Sequence, residues 1–135
     1  MLNLVVDNRA RQAGGAVMIV DDDDACREVF VDVLSAETDY EVMAVDCAQA
    51  ARALAKSKPV ALAILDVHLR DEDGFSLARD LMRRGTCVMF VSGDFSSALA
   101  ERARQVSPLG IQHKRLDPAR LVKLVQSAMA RRTVP

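Results

Sequence analysis

Two short apolar runs that end in acid constrain this chain more than any other feature. One is Ala61-Leu62-Ala63-Ile64-Leu65-Asp66, in which five apolar residues lead into a carboxylate. The other is Ala16-Val17-Met18-Ile19-Val20, which is followed by Asp21 and Asp22. A continuous apolar run of this length reads as a strand covered on both faces of a sheet. An acid at the carboxyl end of such a strand lies where open α/β sheets place their binding sites. The two runs therefore predict one acidic pocket, with Asp66 as a phosphate acceptor and Asp21 and Asp22 as holders of a Mg²⁺ ion.

Around these runs the chain alternates strand and helix patterns. A helix follows the first strand, capped by Asp23 or Asp24, with Ala25, Cys26, Val29, Phe30, Val33 and Leu34 spaced as one face. A second strand covers 40–45. Asp46 and Gln49 read as a capping box for a helix over 47–56 with the small face Ala48, Ala51, Leu54 and Ala55. Lys58-Pro59 breaks that helix, and the third strand starts at Val60. After Asp66 a loop runs to Gly74, and a third helix turns Phe75, Ala78, Leu81 and Met82 inward and Arg79, Arg83 and Arg84 outward to water, with Gly85 as its stop. Strand four covers 87–92, a weakly amphipathic helix 96–106 and strand five 110–114. Asp117-Pro118 then opens a last helix with Leu121, Val122, Val125, Ala128 and Met129 on one side. Five strand–helix repeats predict a parallel sheet with helices on both faces and right-handed crossovers. The matching fold class is flavodoxin-like (βα)5, a doubly wound sheet of strand order 2-1-3-4-5, which sets strands one and three side by side at the switch point. Residues 1–15 read as an arm, its Leu4-Val5-Val6-Asp7 a decoy of the first strand without the acid pair, and residues 131–135 as a frayed tail.

Length and composition narrow the function. The 135 residues suffice for one core, and half of them are apolar. A net charge of −1 gives no general attraction to nucleic acid or anionic membrane. No apolar run approaches the roughly 18 residues of a membrane span, and the N-terminus has no secretory pattern. Cys26, Cys47 and Cys87 are scattered and odd in number, which reads as small buried hydrophobes in a reducing cytoplasm.

The acid cluster dictates its own chemistry. Carboxylates packed together repel, and a cation relieves them. Oxygen ligands that leave room for water suit Mg²⁺. Beside that ion Asp66 can attack phosphorus and become an acyl phosphate, a reaction that depends on positioning and charge stabilisation. Lys114 offers a point charge and Ser92 a hydroxyl to phosphate oxygens. Val67 and Gly93 complete the expected phosphate-binding set, the glycine leaving space for backbone approach.

The residues Val20-Asp21-Asp22, Leu65-Asp66, Asp73-Gly74, Val91-Ser92-Gly93 and Lys114, in this order and at these strand ends, resemble the receiver domain of two-component response regulators over about residues 16–130. The resemblance implies that Asp66 takes a phosphoryl group from the phosphohistidine of a histidine kinase or histidine phosphotransfer protein. It implies Mg²⁺ bound by Asp22 directly, by Asp21 through water, by Asp66 and by the backbone carbonyl of His68. It implies a signalling protein that catalyses only its own phosphorylation and dephosphorylation and acts on an unknown downstream protein. The chain reads as a stand-alone receiver; the alternatives are a fragment of a larger response regulator or hybrid kinase and, more remotely, a cobalamin-binding domain in which His68 of Asp66-Val67-His68 would ligate cobalt.

Three departures from the family pattern stand out. Leu69-Arg70 replaces the usual Met-Pro after the acceptor. Arg115 replaces the proline after Lys114, which predicts a trans peptide there. Ile111 replaces the aromatic residue that turns inward on activation. Ile111 is stiff at χ1, so the signal is expected to leave through 93–106, the segment with the poorest apolar face. His68 borders the expected phosphorylation site, and His113 reads as structural.

Overall fold

The computed structural model describes residues 15–94 and 96–133. The decoy strand at 4–7 and most of the arm lie outside the described residues. Five strands, β1 (Ala16–Val20), β2 (Glu41–Val45), β3 (Val60–Asp66), β4 (Cys87–Ser92) and β5 (Ile111–His113), alternate with α1 (Asp24–Glu37), α2 (Ala48–Ser57), α3 (Gly74–Arg83), α4 (Ser97–Val106) and α5 (Pro118–Thr133). The sheet is parallel throughout in the order β2-β1-β3-β4-β5. This is the flavodoxin-like (βα)5 fold expected from the apolar runs.

The central strands β1 and β3 are buried at every residue, because both of their faces are covered. Alternate residues serve opposite layers, as the period of two requires. Met18, Val20, Ala63, Leu65, Val88 and Phe90 meet α2, α3 and α4, while Val17, Ile19, Leu62, Ile64, Met89 and Val91 meet α1 and α5. Phe75 and Phe90 pack at 4.7 Å between ring centroids in the first layer. Such an aromatic pair contributes about 0.5–1.5 kcal/mol beyond its buried area.

Caps fix where the helices begin. Asp23 accepts the Cys26 amide ahead of α1, Asp73 the Phe75 amide ahead of α3, and Ser96 the Leu99 amide ahead of α4. Gly85, with φ of 91°, ends α3 in a conformation that a side chain would resist. The capping box expected at Asp46 does not form. The N-cap of α2 is Cys47, whose side chain makes no capping bond. Asp71, from the loop after β3, instead accepts the Ala48 and Gln49 amides at 3.0 Å each, one per carboxylate oxygen. An acid that can satisfy two of the orphan amides displaces a local one that starts a residue too early.

Three further expectations change. The buried side of α1 is narrower than its apolar residues suggested: Phe30 and Leu34 are buried, but Ala25 is exposed and Val29 is 52% exposed, one position off the stripe. The cysteines are free and half-buried rather than buried, each at an element edge. Helix α5 continues through Thr133, so residues 131–133 belong to a helix and not to a frayed tail.

Candidate phosphoacceptor site

The register that pairs Val20 with Leu65 brings the carboxyl ends of β1 and β3 level. Asp21 and Asp66, the next residues, therefore stand side by side, and one oxygen from each of Asp21, Asp22 and Asp66 falls within 4.8 Å of the others. Lys114 follows β5, with its amide tied to the Ser92 carbonyl at 3.1 Å. Its Nζ donates to Asp21 Oδ1 at 3.0 Å and to Asp66 Oδ2 at 2.9 Å. The side chains of Asp21 and Asp66 are only 1% and 4% exposed, and that of Lys114 is 14% exposed. This is a buried charge cluster in which one cation faces two carboxylates.

Burial pushes the Asp21 carboxyl up, and the charge of Asp66 adds to it; the Asp23 amide and Lys114 oppose the rise but do not cancel it. Burial pulls the Lys114 ammonium down, but its bonds to Asp66 and Asp21 outweigh that and raise it well above its ordinary value. Lys114 therefore stays protonated across the physiological range. Asp21 Oδ1 is saturated by Lys114 and the Asp23 amide at 2.9 Å. Asp21 Oδ2 is buried without a hydrogen-bond partner. A buried carboxylate oxygen left unpaired is costly, and Asp21, Asp22 and Asp66 can each turn one oxygen to a shared ion, with Asp22 half-exposed to water. These donors fit Mg²⁺, the hard cation that the receiver family binds. Arg70 lies 3.9 Å from Asp22 and 3.7 Å from Asp46, at the rim of the cluster.

Both oxygens of Asp66 are held. Asp66 Oδ2 takes the lysine, and Oδ1 accepts the His68 amide at 3.0 Å. The Val67 amide donates to the Val91 carbonyl within the sheet at 3.1 Å. The amide beside the acceptor is that of His68; the His68 side chain is exposed and its backbone pairs with Asp73. The space beside Gly93 is open, with nothing within 4 Å of where a Cβ would stand. Gly74 is the glycine that the site needs. A Cβ at Gly74 would lie 2.5 Å from the Asp66 carbonyl oxygen and 3.0 Å from two Val67 atoms. The bare backbone lets the start of α3 press against the acceptor strand, with the Gly74 amide on the Val67 carbonyl at 3.0 Å.

Ser92 is buried at the end of β4, but its hydroxyl is turned to its own loop: it donates to the Asp94 carbonyl at 2.7 Å and accepts the Asp94 amide at 3.1 Å. A phosphoryl oxygen would have to draw it away. Ile111 is buried and paired with Phe90 across the β4–β5 ladder. All peptide bonds among the described residues are trans, the Lys114–Arg115 bond included. His113 accepts the Arg115 amide through Nδ1 at 3.1 Å, in keeping with a structural role.

Residues that the sequence did not single out complete the surroundings. Arg27 of α1 donates to the Asp21 carbonyl at 2.7 Å and braces the loop that carries the acid pair. Arg52 of α2 makes a fork onto Glu72 of the acceptor loop, with Nη2 to Oε2 at 2.7 Å, and also bonds Asp80 of α3. With Asp71 on α2, this pins the loop after Asp66 to two helices.

A doubly wound sheet with three acids and a lysine at its switch point defines a class of α/β signalling domain. A family model described as "Response regulator receiver domain" matches residues 17–126, and the chain belongs to that family, the receiver domain of two-component response regulators. Its similarity extends to curated proteins. It is 36% identical over 91 residues to the transcriptional regulatory protein GltR of Pseudomonas aeruginosa, a match covering 66% of this chain and 37% of that protein. It is 31% identical over 100 residues to protein-glutamate methylesterase/protein-glutamine glutaminase 2 of Anaeromyxobacter dehalogenans, covering 73% of this chain and 29% of the relative. The matched region is thus about a third of the length of these relatives. Among solved structures, the CheY-like receiver domain protein of Methanospirillum hungatei superposes with a TM-score of 0.78 at 24% identity over 87% of this chain and 94% of that one, a likeness of fold. The cobalamin alternative gives way to the family match. Among the described residues no helix is long and apolar enough to cross a membrane.

Proposed function

We propose that Asp66 accepts a phosphoryl group from the phosphohistidine of a histidine kinase or phosphotransfer protein, and that the phosphorylated chain signals by binding a downstream protein. The observation that carries this reading is the bridge of Lys114 between Asp21 and Asp66 beside the unpartnered Asp21 Oδ2. The pocket's three acids outnumber its one lysine by two. Asp21, Asp22, Asp66 and the His68 carbonyl would hold Mg²⁺, which when bound neutralises the carboxylates and polarises the phosphoryl group.

The chain's own residues do the remaining work. The His68 amide and Lys114 orient the Asp66 carboxylate for attack. One Asp66 oxygen forms a bond to phosphorus as the phosphorus–nitrogen bond of the donor imidazole breaks; the imidazole leaves with the electron pair and takes a proton. Asp66 thereby exchanges its own charge for that of the phosphoryl group. Lys114 follows the charge to a phosphoryl oxygen, the His68 amide donates to another, and Ser92 turns from Asp94 to a third.

Intact mass measurement after incubation with a small phosphodonor tests this. One phosphoryl group should be gained only with Mg²⁺ present, and Asp66→Asn should remove the gain. Full labelling of that variant would move the acceptor elsewhere. In a cation titration Asp22→Ala should weaken binding more than Asp21→Ala, as direct ligation by Asp22 and ligation through water by Asp21 would require.

A further inference from the structure

We infer that the cleft between α3 and α4 is the docking site for an acidic amphipathic helix of a partner protein. This deepens the signalling function proposed above by assigning a surface and a partner chemistry. The cleft has a volume of about 600 Å³ and is lined by Arg79, Met82, Arg83, Arg102, Gln105 and Val106. Three of the six are arginines and none is acidic. Met82 and Val106 are partly buried against the core and form an apolar floor. The cations come from two helices about 20 residues apart in sequence, so their convergence is a product of the fold.

The charges are positioned to receive carboxylates. Arg83 leans on Asp80 at 2.8 Å and Arg102 on Asp73 at 3.1 Å, both acids lying outside the cleft lining. Among the described residues Arg79 has no ion-pair partner. Guanidinium groups flanking an apolar strip between two helices fit a helix with carboxylates along its edges and aliphatic residues beneath, the helix-in-groove mode of recognition. Nucleic acid fits less well. The nearby acids Asp73, Asp80 and Glu101 interrupt any basic track, and no aromatic side chain lines the cleft for base stacking.

Arg102 joins the cleft to the phosphorylation site. Its guanidinium lies 4.2 Å above the Phe75 ring, and it bonds Asp73, the residue that caps α3 and pairs with His68. A smaller hollow of about 260 Å³, lined by Val67, His68 and Leu69 of the acceptor loop, also has Arg102 in its wall. A helix seated in the cleft therefore contacts a side chain that senses the acceptor loop, and its affinity should differ between the two phosphorylation states.

The experiment uses the full chain at low salt and three probes: a synthetic helical peptide with Glu on one face and Leu on the other, its Lys-for-Glu counterpart, and a single-stranded DNA oligonucleotide. The acidic peptide should bind saturably, with amide shifts concentrated at 79–84 and 102–106. The surface variant carrying Arg79→Glu and Arg83→Glu should keep its thermal unfolding midpoint and bind roughly tenfold or more weakly. Beryllofluoride should change the peptide affinity at least about fivefold, and Arg102→Gln should erase that change. Shifts confined to another face, equal binding of the lysine peptide, or absence of binding would overturn the assignment, and tighter binding of DNA at these residues would replace the protein partner with nucleic acid. An affinity indifferent to beryllofluoride would remove the coupling. Labelling of Asp66 is measured in parallel by mass, so a chain that labels but does not bind loses only the cleft, and one that binds but does not label loses only the phosphoacceptor.

Discussion

Helices α3 and α4 flank the same cleft, have ten residues each and are both capped by a side chain, yet they differ in how they are held. Helix α3 buries Gly74, Phe75, Leu77, Ala78 and Leu81; α4 buries Ala103 alone. Both follow β-strands that end at the site, so their position in the fold does not explain the contrast. What differs is how far the inward side chains are covered: Phe75, Leu77 and Leu81 are fully buried in α3, whereas in α4 Leu99 and Val106 are only partly buried on either side of Ala103. Helix α3 is welded to the sheet at the Asp66 carbonyl through Gly74, whereas α4 rests on the core through Ala103 and the partly buried Leu99 and Val106, with the Arg102–Asp73 pair beside it.

The largest effect expected from this difference is in stability. Leu81→Ala should cost about 2–5 kcal/mol by leaving a cavity under α3, and Ala103→Gly in α4 about 1 kcal/mol from helix propensity. Equal losses by denaturant titration would end the distinction. Next comes Gly74→Ala. The added methyl meets backbone rather than a flexible side chain, so a cost of about 1–3 kcal/mol is expected, together with slower labelling of Asp66 as the loop is pushed aside. Normal labelling in this variant would show that the contact is dispensable.

Amide exchange with and without beryllofluoride sharpens the comparison further. Ser92 cannot hold both Asp94 and a phosphoryl oxygen with one proton, so its rotation should loosen the turn that starts α4. Protection should change about tenfold, or about 1.4 kcal/mol, within 92–106. It should change little in 74–83 and at 110–112, where Ile111 is buried with no aromatic ring to swing. A dominant change on β5 would restore a strand-five switch.

The smallest effect is that of Asp71→Ala, a fall of a few degrees in Tm. The amides of Ala48 and Gln49 hold the Asp71 carboxyl below its ordinary value of 3.8. Its folded pKa is depressed, so its contribution is present above pH 3.8 and lost as pH falls through the lower folded value. The gap in Tm between wild type and variant should close in that acid window and stay constant near neutrality.

The apolar runs ending in Asp21 and Asp66 were legible because a strand buried on both faces leaves no room for polar residues until it reaches the rim. Ser92 was legible for the same reason at the end of β4, whereas Lys114 follows the part-polar Ile111-Gln112-His113 and was legible only from its place in the ordered set of strand ends. What escaped the sequence is contact between distant parts. Asp46 looked like a cap because it stood nearest, and Asp71 won with two oxygens from another loop. Nothing local marks Gly74 as touching Asp66, or Arg79 and Arg83 as sharing a cleft with Arg102. Val29 misled because a helix one residue off its stripe changes which valine is covered, and propensity cannot set that rotation.

The borrowed cap of α2 also bears on the order in which the chain acquires its shape. A ten-residue helix is too short to persist alone in water, and the side chain that completes its first turn lies 23 residues further along. Nascent α2 therefore waits for β3 to join the sheet and for the loop behind it to close, a contact whose entropic cost comes before its reward. The first turn of α2 should set late, after the transition state. In kinetic terms Asp71→Ala should hasten unfolding and leave the folding rate almost untouched, giving a φ-value near zero.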